Sequence, residues 1–373
     1  MTIYLIAIAI AIISGLLMKS TLKKQYGVYY NGLMAIVTIF ISGLRHVMVG
    51  HDTLQFYNAF SVLGNRPWSE LSVTTHYEWG YKIINKLLYT ISSNPQFFIF
   101  ATSTFITIAF TVFIYRYSNG YILSWVIYLT WSFPNSQNLL RQSIAVSILL
   151  FGIQFLIKKK YKKYMLVIAF ATLFHRSAIF AIIIAFIVRI KNKFIAIVAC
   201  VVGTCLGIAI LYLPFVNARI RYSNYFVSEQ YGTADLFGNL FKLLISIVVL
   251  LFVCFCFRKD FSIKQLMRDK MGESVGTLSD NSLIVINIVW VIVGLLAINI
   301  NIFDRLFLYF EYFMLITLPR ACMRLSKKNR RIIVPLMIIL FITMLICAIK
   351  YTNYAGISPY RFFWQQYETM RLR

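Results

Sequence analysis

The sequence predicts an all-α, polytopic membrane protein, and three observations carry that expectation. Of its 373 residues, 60% are hydrophobic and only 13% charged, and the mean hydropathy is +0.74. That balance is too apolar for a soluble globular chain of this length. The apolar residues gather in separate runs close to the roughly 20 residues a helix needs to cross a hydrocarbon core of about 30 Å. The Lys and Arg residues sit mainly in short clusters between those runs. Continuous runs of this kind fit helices rather than the alternating strands of a porin-like barrel.

Taken in order, the apolar runs cover residues 3–18, 28–44, 97–115, 121–133, 139–157, 164–188, 194–213, 239–257, 282–300, 306–323 and 332–349. The first lacks both a basic segment ahead of it and a small-residue cleavage site behind it, so it reads as a retained span rather than a signal peptide. Basic links at Lys19 to Lys24, Arg116, Lys158 to Lys163, Arg189 to Lys193, Arg258 to Lys270 and Arg320 to Arg331 belong on the cytoplasmic side by the positive-inside rule. If run 164–188 crosses once, Lys and Arg divide almost evenly between the two sides. If it enters and leaves on the cytoplasmic side, most of them fall inside. The charge bias therefore favours a re-entrant helical hairpin turning near His175 and Arg176, each arm rising about 17 Å. Two short full spans give the same topology. The expectation is one integral membrane domain, 1–373, with about ten transmembrane helices plus the 164–188 hairpin. A long extracytoplasmic loop then covers 45–96, and the tail 350–373 lies on the same outer side. A further outward link, 214–238, carries Arg219 and Arg221. No internal repeat is visible, which weakly disfavours transporters built from two similar halves.

A net charge of +25 raises the possibility of nucleic acid, but the charge is distributed as topology and anionic lipid require, so no nucleic-acid partner is expected. Cys200, Cys205, Cys254, Cys256, Cys322 and Cys347 lie in or beside apolar runs without Cys-x-x-Cys spacing, so neither a disulfide framework nor a zinc site is indicated. His46, His51 and Asp52 lack a recognised ligand spacing, and no phosphate-binding Gly-x-x-x-x-Gly-Lys loop or Gly-x-Ser-x-Gly elbow occurs. The expectation is therefore metal-independent chemistry with no cofactor.

Five polar groupings stand out. In the outward loop, Arg45, His46, His51, Asp52, Glu70, His76 and Glu78 alternate with Tyr57, Trp68, Tyr77, Trp79 and Tyr81. Aromatic faces pack on sugar rings, and carboxylates accept from hydroxyls or take a proton, so the mixture suits a carbohydrate; an interfacial aromatic belt is the plainer reading. Arg141 and Gln142 follow Pro134 and Asn135-Ser136-Gln137-Asn138 and fall in the first turn of the next apolar run, sharing a face with Asn138 and Ala145. An Arg just inside the membrane needs a partner; its fork can grip a phosphate, or it can snorkel to headgroups. His175-Arg176 occupies the proposed hairpin turn. Asp304-Arg305 opens a run that carries Tyr309 four residues on and the intramembrane carboxylate Glu311. The tail segment Ser358 to Trp364 joins Arg361 to several aromatics and reads as an interfacial anchor.

Taken together and in order, Gly50-His51-Asp52-Thr53 with Tyr57, Glu78-Trp79-Gly80-Tyr81, Leu140-Arg141-Gln142-Ser143-Ile144-Ala145, Phe174-His175-Arg176-Ser177-Ala178, Asp304-Arg305 with Tyr309, and Pro359-Tyr360 resemble the EpsG family, akin to Wzy-type polysaccharide polymerases. The resemblance spans most of the chain. It implies a glycosyltransferase-C-like fold in a bacterial cytoplasmic membrane, with the active site facing outward. It also implies a membrane glycosyltransferase that joins undecaprenyl-diphosphate-linked oligosaccharide repeats, donor to acceptor, into exopolysaccharide, capsule or O-antigen. A flippase and a chain-length regulator are candidate partners beside membrane lipid. On that resemblance the catalytic candidates are His175 as base, with Glu78 and Asp52 as base or sugar-binding alternatives. The substrate-binding candidates are Arg45, Arg141, Gln142, Arg176, Arg305 and Tyr309. A lipid-linked oligosaccharide flippase and a glycan ligase are the rival functions, because both need nearly the same diphosphate site.

Overall fold

The computed structural model describes residues 1–72, 77–211, 233–258, 276–298 and 302–366, so His76, Arg219 and Arg221 lie outside the described residues. In chain order the helices are α1 Thr2–Thr21, α2 Tyr26–Gly43, α3 Thr53–Asn65, α4 Trp79–Ile91, α5 Pro95–Tyr117, α6 Tyr121–Ile127, α7 Phe133–Asn138 and α8 Leu140–Ile157. They continue as α9 Tyr161–Thr172, α10 Ile182–Arg189, α11 Lys193–Leu211, α12 Thr233–Phe257, α13 Asp280–Ala297, α14 Ile302–Glu311, α15 Met314–Arg324 and α16 Lys327–Thr352. Among the described residues there is no strand; a single antiparallel bridge joins Arg45 to Phe362.

Among the described residues seven helical stretches are long and apolar enough to cross a bilayer: α1, Lys23–Gly43, α5, α8, Leu236–Phe257, α13 and α16. An eighth span forms if α14 and α15, bent by 45° at their break, are taken as one. The chain is thus an all-helical, multi-pass membrane protein. The sequence predicts about ten spans, and the structure draws run 121–133 differently. Run 121–133 is not one straight helix: α6 passes into a π-wound turn at Tyr128–Ser132 and then α7, where Pro134 removes a backbone donor. Run 194–213 corresponds to α11, whose described apolar part is Lys193–Gly203. Segment 45–96, expected as a loop, folds into α3, a short 3₁₀ turn at Trp68–Ser72, and α4. Each of the two helices has 13 residues, a length of about 20 Å that falls short of a bilayer.

The chain divides into two compact units. The first comprises residues 1–151, 167–178 and 327–373. Here α2 packs along α5, and α1 along α2 and α6. Buried polar groups of its helices find partners on neighbouring ones: Trp125 Nε1 donates to Asn31 Oδ1 (2.8 Å) and Tyr30 Oη to the Ala11 carbonyl (2.9 Å). Local signals start the helices as expected: Pro95 opens α5 and the Asn94 side chain accepts from the Gln96 amide.

The tail after α16 folds back into this unit. His46 N–H donates to Arg361 O (2.8 Å), Phe363 N–H to Leu44 O (2.9 Å), and Gly50 N–H to Gly356 O (2.8 Å). Tyr360 Oη donates to Ile41 O (2.7 Å). Arg45, 1% exposed, sits under this seam. It donates to the Ser42 carbonyl, to Ser103 Oγ (2.9 Å) and to Gln137 O (3.2 Å). Burial draws its guanidinium down to about 10, still charged at neutral pH. Gly356, at φ +64°, lies so close to residue 51 that a Cβ would meet His51 N at 2.8 Å.

The second unit comprises residues 152–166 and 179–326. In it α13 packs on α12, α14 and α11. Asp280 at the start of α13 pairs with Arg320 (3.1 Å) and Arg324 (2.6 Å) of α15, and Lys242 of α12 pairs with Asp304 of α14 (2.6 Å). Lys193, fully buried, donates to the carbonyls of Ile187 and Ile190 (2.7 Å each); these lie in the last turn and at the C-cap of α10, where the helix dipole favours a cation.

The seam around Gly356 is directly testable. Gly356→Ala places a side chain in the left-handed region against backbone and is expected to destabilise by about 1–3 kcal/mol. Gly32→Ala, in α2 with nothing within 4 Å of the added Cβ, is expected to be neutral or to stabilise by roughly 0.5–1 kcal/mol. Thermal unfolding of the two variants in detergent distinguishes them; equal melting temperatures would mean that the tail is not seated here.

Candidate functional site

Glu78 precedes α4 in extended conformation (φ −68°, ψ 153°), and its side chain does not cap that helix. The carboxylate instead reaches across the first unit. Oε2 accepts from Arg141 Nη1 at 2.5 Å, and Oε1 accepts from the Arg176 amide at 3.4 Å and faces His175 Nδ1 at 3.7 Å. The Glu78 and His175 side chains are 8% and 9% exposed and that of Arg141 is 22% exposed. The Arg176 guanidinium is exposed, with no side-chain partner among the described residues.

Backbone proximity brings α4 and the 173–176 turn together. Gly80 N–H donates to Leu173 O at 2.7 Å, and a Cβ on Gly80 would stand 2.8 Å from that oxygen. Only glycine lets the first turn of α4 dock so closely. The same turn is closed by His175 N–H to Ala171 O and Ala178 N–H to His175 O.

Arg141 is delivered by a break in the preceding helix. α7 ends at Leu139 (φ −89°, ψ 57°), and α8 begins one residue later, so Arg141 lies in a fresh first turn. The break is held from both sides: Gln137 O accepts from Arg45 and Thr53, and Asn138 Oδ1 accepts from the Asp52 amide at 2.9 Å. The Arg141 guanidinium then stacks 5.0 Å above the Tyr77 ring and 5.9 Å from the Tyr81 ring, a cation–π arrangement that fixes its plane. Tyr77 is steadied by Gln55 of α3, whose Nε2 donates to its hydroxyl at 3.2 Å. Burial pushes the Tyr81 phenol up, so it remains neutral beneath the cation.

Four sequence candidates, Glu78, Arg141, His175 and Arg176, thus form one cluster. Asp52, half-buried ahead of α3, makes no side-chain hydrogen bond or ion pair among the described residues and does not cap its helix. Gln142 is buried beside Arg141. Arg45 is placed apart from the cluster, in backbone hydrogen bonds under the tail. Arg305 and Tyr309 lie on α14 in the second unit, Arg305 half-buried and Tyr309 3% exposed. Sequence reasoning did not single out Tyr77 as the guanidinium's platform, because it lies ahead of α4, beyond the extended Glu78, where no helical spacing marks it. Gln137, which links Tyr4, Arg45 and Thr53, had no signal beyond its polar neighbours. Among the described residues no three His, Cys, Asp or Glu side chains gather as a metal site.

No curated protein matches the chain, and neither does any solved structure. A family model, the EpsG family, matches residues 28–363. That span takes in every residue of the Glu78 cluster, all of the second unit and most of the first, and the chain belongs to the EpsG family.

Proposed function

We propose that this membrane protein of polysaccharide biosynthesis is a polymerase. It would join undecaprenyl-diphosphate-linked repeat units at the outer face of the bacterial cytoplasmic membrane, making exopolysaccharide, capsule or O-antigen. The observation that carries the reading is Arg141, held at a helix start by Glu78 and two tyrosine rings beside His175 and Arg176. In such a transfer an acceptor hydroxyl loses its proton to His175 while its oxygen attacks the anomeric carbon of the donor. The bond from that carbon to the diphosphate oxygen breaks, and the lipid diphosphate leaves with the electron pair. Arg141 and Arg176 meet the charge that develops on it, and the bidentate guanidinium geometry suits phosphate oxygens. The assignment extends to Gln142 beside Arg141, and to Arg305 with Tyr309 by their motif. Asp52, with its unengaged carboxylate, is the second candidate for contact with sugar hydroxyls.

Purified protein in liposomes with lipid-linked repeat units is expected to give longer lipid-linked glycans. Arg141→Ala and His175→Ala should each lower the rate by about 10²–10⁴-fold, the range for lost charge stabilisation or general-base catalysis. If wild type instead carries intact substrate across the bilayer without lengthening it, the chain is a flippase. Transfer of glycan to another acceptor without polymerisation would make it a ligase.

The outward placement rests on the hairpin topology for 164–188 and has its own check. In a background with the native cysteines replaced, Lys191→Cys in intact cells should resist an impermeant thiol reagent, whereas Ser69→Cys should react readily. Ready labelling at position 191 would overturn the hairpin and the side assigned to the site.

A further inference from the structure

Both oxygens of Glu78 are engaged. Oε2 takes the Arg141 guanidinium at 2.5 Å, and Oε1 takes the Arg176 amide at 3.4 Å while facing His175 Nδ1. Lone pairs already pointed at these donors are not available to draw a proton from a sugar hydroxyl, and an 8% exposed carboxylate offers little surface to a sugar. The contrast is Asp52, half-buried and without a side-chain partner among the described residues. We infer that Glu78 is the positioning residue of the site, aiming the His175 imidazole and the Arg141 guanidinium while touching neither sugar nor diphosphate. This division of labour rests on the polymerase reading.

The physical case has three parts. A ring whose Nδ1 is turned toward a carboxylate presents its opposite edge, Nε2, for proton transfer. At 3.7 Å the pair is beyond hydrogen-bond length, but when the imidazole takes the acceptor's proton its new charge faces the Glu78 carboxylate. Charged groups that share this carboxylate with the ring are Arg141, which reaches it from α8, and Arg176 on the ring's own turn. Finally, the amide bond to Arg176 ties down the backbone that carries both His175 and Arg176. One carboxylate therefore meets three groups from two other stretches of sequence, Arg141 and the 175–176 turn.

The test compares Glu78→Gln with Asp52→Asn in the liposome assay, alone and in a His175→Gln background. If Glu78 acts through His175, Glu78→Gln lowers kcat about 30- to 100-fold while KM for the lipid-linked donor stays within about threefold. In the His175→Gln background the second substitution then lowers kcat by at least about threefold less than it does in wild type, what remains being the share that runs through Arg141, because neighbours acting as a unit are not additive. Asp52→Asn should instead lower activity by a similar factor in both backgrounds. The backbone tie has a readout independent of activity: hydrogen exchange at the Arg176 amide should quicken by about tenfold in Glu78→Ala. A raised KM with unchanged kcat would make Glu78 a substrate ligand, and multiplying effects with His175→Gln would make it an independent group; either overturns the inference. Should Glu78→Gln prove unstable, the neutral pair Glu78→Gln/Arg141→Gln is compared with Arg141→Gln, and a further kcat loss, the share that runs through His175, is expected. If wild type lengthens no glycan, the polymerase reading falls and the exchange measurement alone decides: unaltered exchange at Arg176 overturns the positioning role.

Discussion

A carboxylate and a guanidinium brought together out of water need each other, because either alone at the edge of a membrane core carries a large desolvation cost. Glu78 and Arg141 meet that requirement at 2.5 Å across 63 residues of sequence, and much of the first unit is arranged to let them. α4 must start with Glu78 extended and Gly80 pressed against the Leu173 carbonyl. α7 must stop at Leu139 so that α8 can present Arg141 in its first turn. Because leaving one partner unpaired is more costly than never burying the pair, the interaction specifies the local backbone as much as it stabilises it.

The tail seam supports the same geometry from the other side. Arg45 and Thr53 hold the Gln137 carbonyl, and the tail residues 356–363 close over Arg45. A disturbance at Gly356 or Gly50, both at positive φ, therefore bears on the break between α7 and α8 that aims Arg141. One arginine holds backbone, another stacks on two tyrosine rings beside a carboxylate, and the two differ in sequence only by context.

What was legible in the sequence follows from how far each signal reaches. Bilayer thickness acts directly on hydropathy, so the spans of α1, α2, α5, α8, α12, α13 and α16 can be read from composition alone. The π-wound turn at Tyr128–Ser132 has no hydropathic mark, and α3 and α4 were read as loop because their polar and apolar residues alternate around short helices that never cross the membrane. Within the site, residue types pointed to Glu78, Arg141, His175 and Arg176, but not to their partnership, which depends on long-range packing. Arg45 and Arg141 look alike in sequence, both lying at the end of an apolar run. Only the fold gives Arg45 to carbonyls under the tail and Arg141 to a carboxylate, just as only the fold shows Tyr77 lying beneath the guanidinium.

The central claim is that the Glu78–Arg141 pair organises the first unit, and a double-mutant cycle on folding stability tests it most directly. Glu78→Gln, Arg141→Gln and the double variant would be unfolded in the same detergent and compared with wild type. The account predicts strong non-additivity, a coupling of about 1–3 kcal/mol with the double variant more stable than the two single losses sum to. Additive losses, within about 0.5 kcal/mol, would contradict it.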